Sequence, residues 1–229
     1  MRLLAIETSS EACSVALQVG EVITEQHRVE AREHTRILLP MIRQLLADQG
    51  LAATDLDAVV LGNGPGSFIG MRISASVAQG LCFGAGLPLV PISSLAAVAA
   101  EVIDTEAADK VAVAQDARMQ EVYFGTFLAD ALRLPVLQDA ETIVSVERPG
   151  LLQGTGWIAA GGGWLRYPQL EASCSGAVAR ISSVSHPRAR YLLKPGASAF
   201  RQGKAIRAER LEPAYLRNKV AEPLAGRGP

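Results

Sequence analysis

Apolar residues open this chain in short unbroken runs, and a longer, helical period sets in only after residue 32. Leu3–Glu7 reads as a buried strand ending in Thr8-Ser9-Ser10. Ala12–Val19 and Glu21–Val29, joined at Gly20, read as a hairpin. A helix is predicted from about Arg32 to Gln49, with Gly50 as its stop. Asp57–Leu61 predicts the next strand, followed by a glycine-rich loop and a helix over Phe68–Gly84. Leu87–Ile92 predicts a short strand and Ser93–Val102 an alanine-rich helix. Three antiparallel-type strands followed by alternating helix and strand describe an α/β layer fold whose sheet begins as a meander.

A break near Asp104–Lys110 divides the chain into residues 1–103 and a smaller second part, 104–229. There Lys110–Asp116 and Gln120–Phe127 read as paired strands around Ala117-Arg118-Met119, and Trp157–Ala160 as another. Glu141 to Ser185 is otherwise weakly patterned. A last helix is expected to be interrupted at Pro195-Gly196. The second part looks like a reduced copy of the first, without a repeat at the residue level.

The loop Gly62-Asn63-Gly64-Pro65-Gly66-Ser67 sits between a strand and a helix start, where unpaired N–H groups can receive an anion. No Lys-Ser/Thr follows the glycines, so it is not a P-loop. Ser67 stands where a Rossmann fingerprint needs its third glycine. Glycines so arranged make a tight turn more often than a nucleotide site.

Two helices carry more apolar surface than one sheet needs. On the first, Leu38, Ile42 and Leu45 share a face, while Ile37 and Met41 make another; Pro40 is expected to kink it. On the second, Gly70, Ser74 and Ala78 recur at i+4, as do Ser76, Gly80 and Gly84. Small residues at this spacing admit a close helix neighbour, inside the subunit or across subunits.

Composition narrows the functional classes. The chain has 229 residues, a net charge of −1 and 49% hydrophobic residues. Its three cysteines are widely spaced, as expected of reduced structural thiols in a cytoplasmic protein. No apolar run reads as a membrane span. From Arg180 to Lys219 there are ten Lys/Arg against Glu209 and Glu212. Such a segment can face nucleic acid, but a solvated face balancing the acidic body is the commoner case. Three histidines, 27, 34 and 186, have no helical metal-ligand spacing. His34, beside Arg32 and Glu33, suits a solvated or capping role at a helix start. Glu7, Glu11, Asp116 and Glu121 lie near strand ends, where turn-capping acids are commoner than catalytic ones.

Ile6-Glu7-Thr8-Ser9, Arg32-Glu33-His34, Leu38-Leu39-Pro40-Met41-Ile42, Gly64-Pro65-Gly66-Ser67-Phe68, Met71-Arg72-Ile73 and Ser76–Leu81 resemble the bacterial TsaB (YeaZ) family of tRNA threonylcarbamoyladenosine biosynthesis. So do Pro91–Leu95, Asp116–Met119 with Glu121-Val122-Tyr123, and Pro213–Arg217. The match is dense over residues 3–127, sparse to about 210, and returns near the C-terminus.

The resemblance implies an actin/Hsp70/sugar-kinase-like (ribonuclease-H-like) fold of two related subdomains, the second reduced. It implies a non-catalytic, cytoplasmic subunit that pairs with a TsaD-type transferase, is joined by a TsaE-type ATPase, meets tRNA indirectly, and forms a homodimer when alone. The helices at 32–49 and 68–84 would supply the surface, with Arg32, His34, Leu38, Met41, Ile42, Leu45, Met71, Arg72, Ser74, Ala75 and Ala78 facing the partner. Charged residues at Met41 and Ile42 would then abolish pairing. No intrinsic cofactor is implied; ATP would sit at the complex interface, with Glu7, Thr8, Ser9, Gly64, Gly66 and Ser67 as candidates for contacting it.

Three departures bear on chemistry. The catalytic relatives carry a metal-binding His pair where Ser94 and Val98 stand, position 7 is Glu rather than Asp, and Phe-Thr-Gly is Phe68-Ile69-Gly70. These favour a scaffold, for which Glu7→Ala would matter little, over an independent ATP-using enzyme or metallopeptidase of the glycoprotease-like family.

Overall fold

In the computed structural model, described for residues 1–217 other than Ala31, Pro149 and Ser175, two mixed sheets lie side by side. The first half contains β1 (Arg2–Glu7), β2 (Ala12–Val19), β3 (Val22–Val29), α1 (His34–Asp48), β4 (Ala58–Gly62), α2 (Phe68–Ala85), β5 (Leu89–Ile92) and α3 (Ser94–Thr105). The second contains β6 (Lys110–Arg118), β7 (Glu121–Ala129), β8 (Pro135–Leu137), β9 (Thr142–Ser145), β10 (Trp157–Ala160), α4 (Gly162–Arg166), α5 (Pro168–Ser173), β11 (Val178–Ile181) and α6 (Arg190–Arg201).

The sheets share one topology. In the first, the order is β3-β2-β1-β4-β5, antiparallel through the hairpins and parallel from β1 to β4 to β5. In the second, read from its other edge, β8-β7-β6-β10-β11 repeats that sequence of pairings. The third hairpin position is split, because β9 pairs with the start of β7 and β8 with its end. The reduction has a concrete form. Between β9 and β10 no helix occurs among the described residues, so α1 lacks a counterpart, and the short α4 and α5 stand in for α2.

Successive residues of the central strands point to opposite faces. Leu4 and Ile6 enter the core under α1 and α2, with Val15, Val59 and Leu61. Leu3 and Ala5 enter the other core, with Val60, Val90 and the α6 residues Leu192 and Leu193. A strand covered on both faces must be apolar at every position, as Leu3–Ile6 is. The last helix of each half crosses over: α3 packs on the second sheet through Leu95, Val98, Val102 and Ile103, and α6 packs on the first. α6 follows residue 104 in sequence and packs on the first sheet, while Lys194 Nζ also donates to Arg133 O in the second part.

α6 runs unbroken through Pro195-Gly196, against the expected interruption, and Pro40 likewise lies within α1. The glycine has a packing reason: a Cβ at Gly196 would come 2.6 Å from a methyl of Val60. The 18 residues of α2 are long and apolar enough by composition to cross a membrane, yet Ala75, Ala78 and Cys82 pack it onto the first sheet.

Charge ties the halves together. Arg188, just before α6, pairs with Glu25 on β3 and lies 3.4 Å from Glu101 on α3. Ser14 also donates to Glu25, at 2.9 Å. Burial outweighs these contacts and pushes the Glu101 carboxyl up to about 7 from 4.5. Its folded value thus exceeds its unfolded one. The neutral form stabilises the fold fully below pH 4.5, and this contribution is lost as pH rises through 7. Glu101→Gln is expected to flatten stability between pH 5 and 8, gaining about 2–3 kcal/mol over wild type at the alkaline end. Chemical denaturation at both pH values tests this; parallel wild-type and variant curves would refute it.

Candidate functional site

The glycine turn is filled by its own chain. Ser67 N–H donates to the Ser9 carbonyl at 2.7 Å, and Gly70 N–H to Ser67 Oγ at 3.3 Å, so the first turn of α2 is capped. Thr8 Oγ1 donates to the Gly70 carbonyl at 2.7 Å. Glycine is required because the backbones nearly touch: a Cβ at Gly66 would fall 2.3 Å from Ser9 O, and one at Gly70 1.9 Å from Thr8 O.

Glu7 lies at the centre of this arrangement, fully buried. One carboxyl oxygen accepts from Ser9 N–H at 2.5 Å and the other from Ser94 Oγ at 2.7 Å. Ser94 Oγ in turn accepts from Gly64 N–H at 3.1 Å, and Ser94 N–H donates to Gly64 O at 2.8 Å. Burial raises the Glu7 pKa, opposed by these hydrogen bonds. The structure therefore brings Glu7, Thr8, Ser9, Gly64, Gly66 and Ser67 together, as a closed polar network. Ser94 completes it, and the sequence offered no sign of that role. The Glu7 side chain supports three segments of backbone, so Glu7→Ala bears on stability whatever its effect on function.

The second candidate region is the face formed by α1 and α2. Nine of the side chains expected to meet a partner are buried in their own subunit: His34, Leu38, Met41, Ile42, Leu45, Met71, Ser74, Ala75 and Ala78. The α1 residues lie on β2 and the rest of the first sheet, so charges at Met41 and Ile42 would unfold the chain rather than test a surface. His34 caps nothing; its Nε2 lies 3.2 Å from the Ala12 carbonyl, which can only accept, so Nε2 carries the proton. Arg32, at φ +68°, and Arg72 are exposed.

The accessible apolar surface is made by different residues. Ile69 is 70% exposed, and Phe68 and Leu39 are exposed beside it. They rim a groove of about 400 Å³ between α1 and α2, floored by Leu38, Ile73 and Val77. Only 33% of α2 is buried. The helical period revealed the amphipathic helices but not which of their apolar residues face the sheet beneath them.

Other candidates are engaged elsewhere. Asp116 accepts from Tyr167 Oη at 2.8 Å and Arg118 N–H at 2.8 Å. Arg180 pairs with Glu106, Arg188 with Glu25, and Arg217 with Glu121, so these three basic residues are engaged within the chain; Lys219 lies outside the described residues. Cys13, Cys82 and Cys174 are buried thiols, and burial pushes Cys13 and Cys82 up to about 12. Among the described residues, no three His, Cys, Asp or Glu side chains are grouped as metal ligands.

A family model described as TsaD, tRNA N6-adenosine threonylcarbamoyltransferase, matches residues 19–154. The tRNA threonylcarbamoyladenosine biosynthesis protein TsaB of Escherichia coli K12 is 39% identical over 225 residues, covering 96% of both chains. The chain belongs to the TsaB family. TsaB of Haemophilus influenzae is also 39% identical, over 99% of this chain and 98% of its own. The solved structure of YeaZ from Pseudomonas aeruginosa superposes with a TM-score of 0.87 at 35% identity, over 94% of this chain and 99% of that one. With its two topologically matched sheets, this TsaB-family chain has the actin/Hsp70/sugar-kinase-like fold.

Proposed function

We propose that this chain is a non-catalytic, cytoplasmic scaffold subunit in tRNA threonylcarbamoyladenosine formation, pairing through α1 and α2 with a TsaD-type transferase. The observation that carries this reading is the exposed apolar face of Leu39, Phe68 and Ile69 beside an open groove. Clustered apolar exposure of this kind marks an interaction surface. The self-satisfied turn around Glu7 supports a structural rather than a catalytic role. A TsaE-type ATPase joins the assembly, ATP sits where subunits meet, tRNA is engaged through the partner, and a second copy occupies the same face when the partner is absent.

Light scattering after size separation, for the chain alone and mixed with a TsaD-type partner and ATP, tests the reading. A discrete hetero-complex replacing the homodimer is expected. Ile69→Glu is expected to weaken that complex at least about 100-fold, while leaving the melting temperature within a few degrees, because the side chain is solvent-facing. An intact complex with this variant would overturn the assignment of the face. ATP turnover by the isolated chain would instead favour an enzyme.

A further inference from the structure

The residues around the α1–α2 groove are apolar or uncharged except at one corner, where Arg72 stands among the described lining residues. Its guanidinium is held from two sides. The carbon centre lies 3.7 Å from the Phe68 ring centroid and 5.9 Å from that of Tyr215. Nε donates to Tyr215 Oη at 3.1 Å, and the two rings approach at 5.4 Å. No carboxylate of the described residues pairs with Arg72 within 4.0 Å, as for other exposed arginines such as Arg43 and Arg201, but among the described residues only the Arg72 guanidinium is flanked by two aromatic rings. An arginine with one edge satisfied and its ring stacking complete keeps its terminal N–H groups for a planar acceptor.

Tyr215 reaches this corner because the segment after Leu211 is fastened at both ends. Asn63 Nδ2 donates to the Glu212 carbonyl at 3.0 Å and Ala214 N–H to Asn63 O at 3.1 Å. Beyond Tyr215, Arg217 donates to the Ala117 carbonyl at 3.1 Å and pairs with Glu121 at the β6–β7 turn. The C-terminal segment thus bridges both halves and sets the side chain that orients Arg72.

We propose that Arg72, positioned by Tyr215, is the charged anchor of the docking face and takes a carboxylate presented by the transferase partner at the edge of its apolar contact surface. The inference rests on the docking reading above and names the partner chemistry it requires: one acidic side chain beside an apolar patch. Arginine and tyrosine set next to an apolar patch are the residue types that dominate binding at interfaces. The lone charge in an apolar rim also discriminates against partners that cannot neutralise it.

The test is a binding titration of the full chain against a TsaD-type partner at low and high salt, for wild type, Arg72→Gln, Arg72→Lys, Tyr215→Phe and Ile69→Glu. Arg72→Gln is expected to weaken binding about 10- to 100-fold and to flatten its salt dependence. Tyr215→Phe, which keeps the ring but loses the hydrogen bond, is expected to weaken binding about 3- to 10-fold. Arg72→Lys should restore the salt dependence but not the full affinity. Unchanged affinity of Arg72→Gln, with binding destroyed by Ile69→Glu, would overturn the anchor and leave the docking face standing. Weaker binding with an unaltered salt response would reduce Arg72 to packing and also overturn it. Sensitivity of the homodimer alone would assign the carboxylate to a second copy instead. Binding that survives Ile69→Glu would remove the docking face, and the anchor with it.

Discussion

Gly70→Ala is expected to destabilise the chain by about 3 kcal/mol or more, the upper range for forcing atoms into a packed interior. The added methyl would lie 1.9 Å from the Thr8 carbonyl oxygen. Neither side can retreat cheaply. Thr8 directly follows the central strand β1 and donates its hydroxyl back to Gly70 O at 2.7 Å. Gly70 sits in the first turn of α2, where Met71 and Ser74 are also buried. Alanine is otherwise the better helix former by about 1 kcal/mol, so helix propensity alone predicts stabilisation and the contact predicts the opposite. For a domain of this size the loss corresponds to a melting temperature lower by roughly 6–12 °C. Ala at Gly80, where a Cβ meets nothing within 4 Å, is the matched control and is expected to be neutral or stabilising. Equal melting temperatures for the two variants would show that the turn yields and that its glycine is not a packing requirement.

This pair of glycines also shows what the sequence made legible. Period and punctuation placed the strands, α1, α2 and the loop between β4 and α2, because those signals are local: an apolar run of strand length, a helical stripe, a glycine stop. The i+4 spacing of Gly70 with Ser74 and Ala78 was visible, but their neighbour was not. That neighbour is Thr8, just after β1 and 62 residues earlier. The same limit explains α1. Leu38, Met41, Ile42 and Leu45 announced an apolar face, and only the sheet beneath them determines that this face points inward, leaving Leu39 and Ile69 outside. The stretch from Glu141 to Ser185 was unreadable for another reason. Its elements are four to six residues long, too short for a period to establish itself, and they are fixed by Trp157, Trp164 and Leu170 packing into the second sheet. Docking of the C-terminal segment at Asn63 and Ala117 depends on contacts about 100 residues or more apart, beyond any pattern in one chain.

Glu7→Ala, which leaves a scaffold's chemistry untouched, is nevertheless expected to cost about 2–4 kcal/mol, because it strips the partners from buried polar groups and opens a cavity. Ser9 N–H and Ser94 Oγ–H both donate to this carboxyl and have no route to water once it is gone. The space cannot be refilled by the neighbouring backbone, since Gly62 already lies so close that a Cβ there would overlap Glu7 Oε2. Glu7→Gln separates structure from chemistry. Its amide keeps an acceptor for Ser9 and a donor for Ser94 Oγ, and it removes a charge that burial disfavours. The folded-state pKa of Glu7 is raised, so the neutral side chain stabilises most at low pH, and that share is lost as pH rises through the folded value. Glu7→Gln is therefore expected to match wild type at acidic pH and to equal or exceed it at pH 8. Partner binding should follow stability: lost with Glu7→Ala at temperatures where that variant unfolds, retained with Glu7→Gln. Denaturant titrations at pH 5 and 8, combined with reconstituted tRNA modification, decide the matter. A Glu7→Gln chain that folds, pairs with its transferase and yet supports no modification would place the carboxylate in the reaction itself, and the scaffold reading would give way to an enzyme.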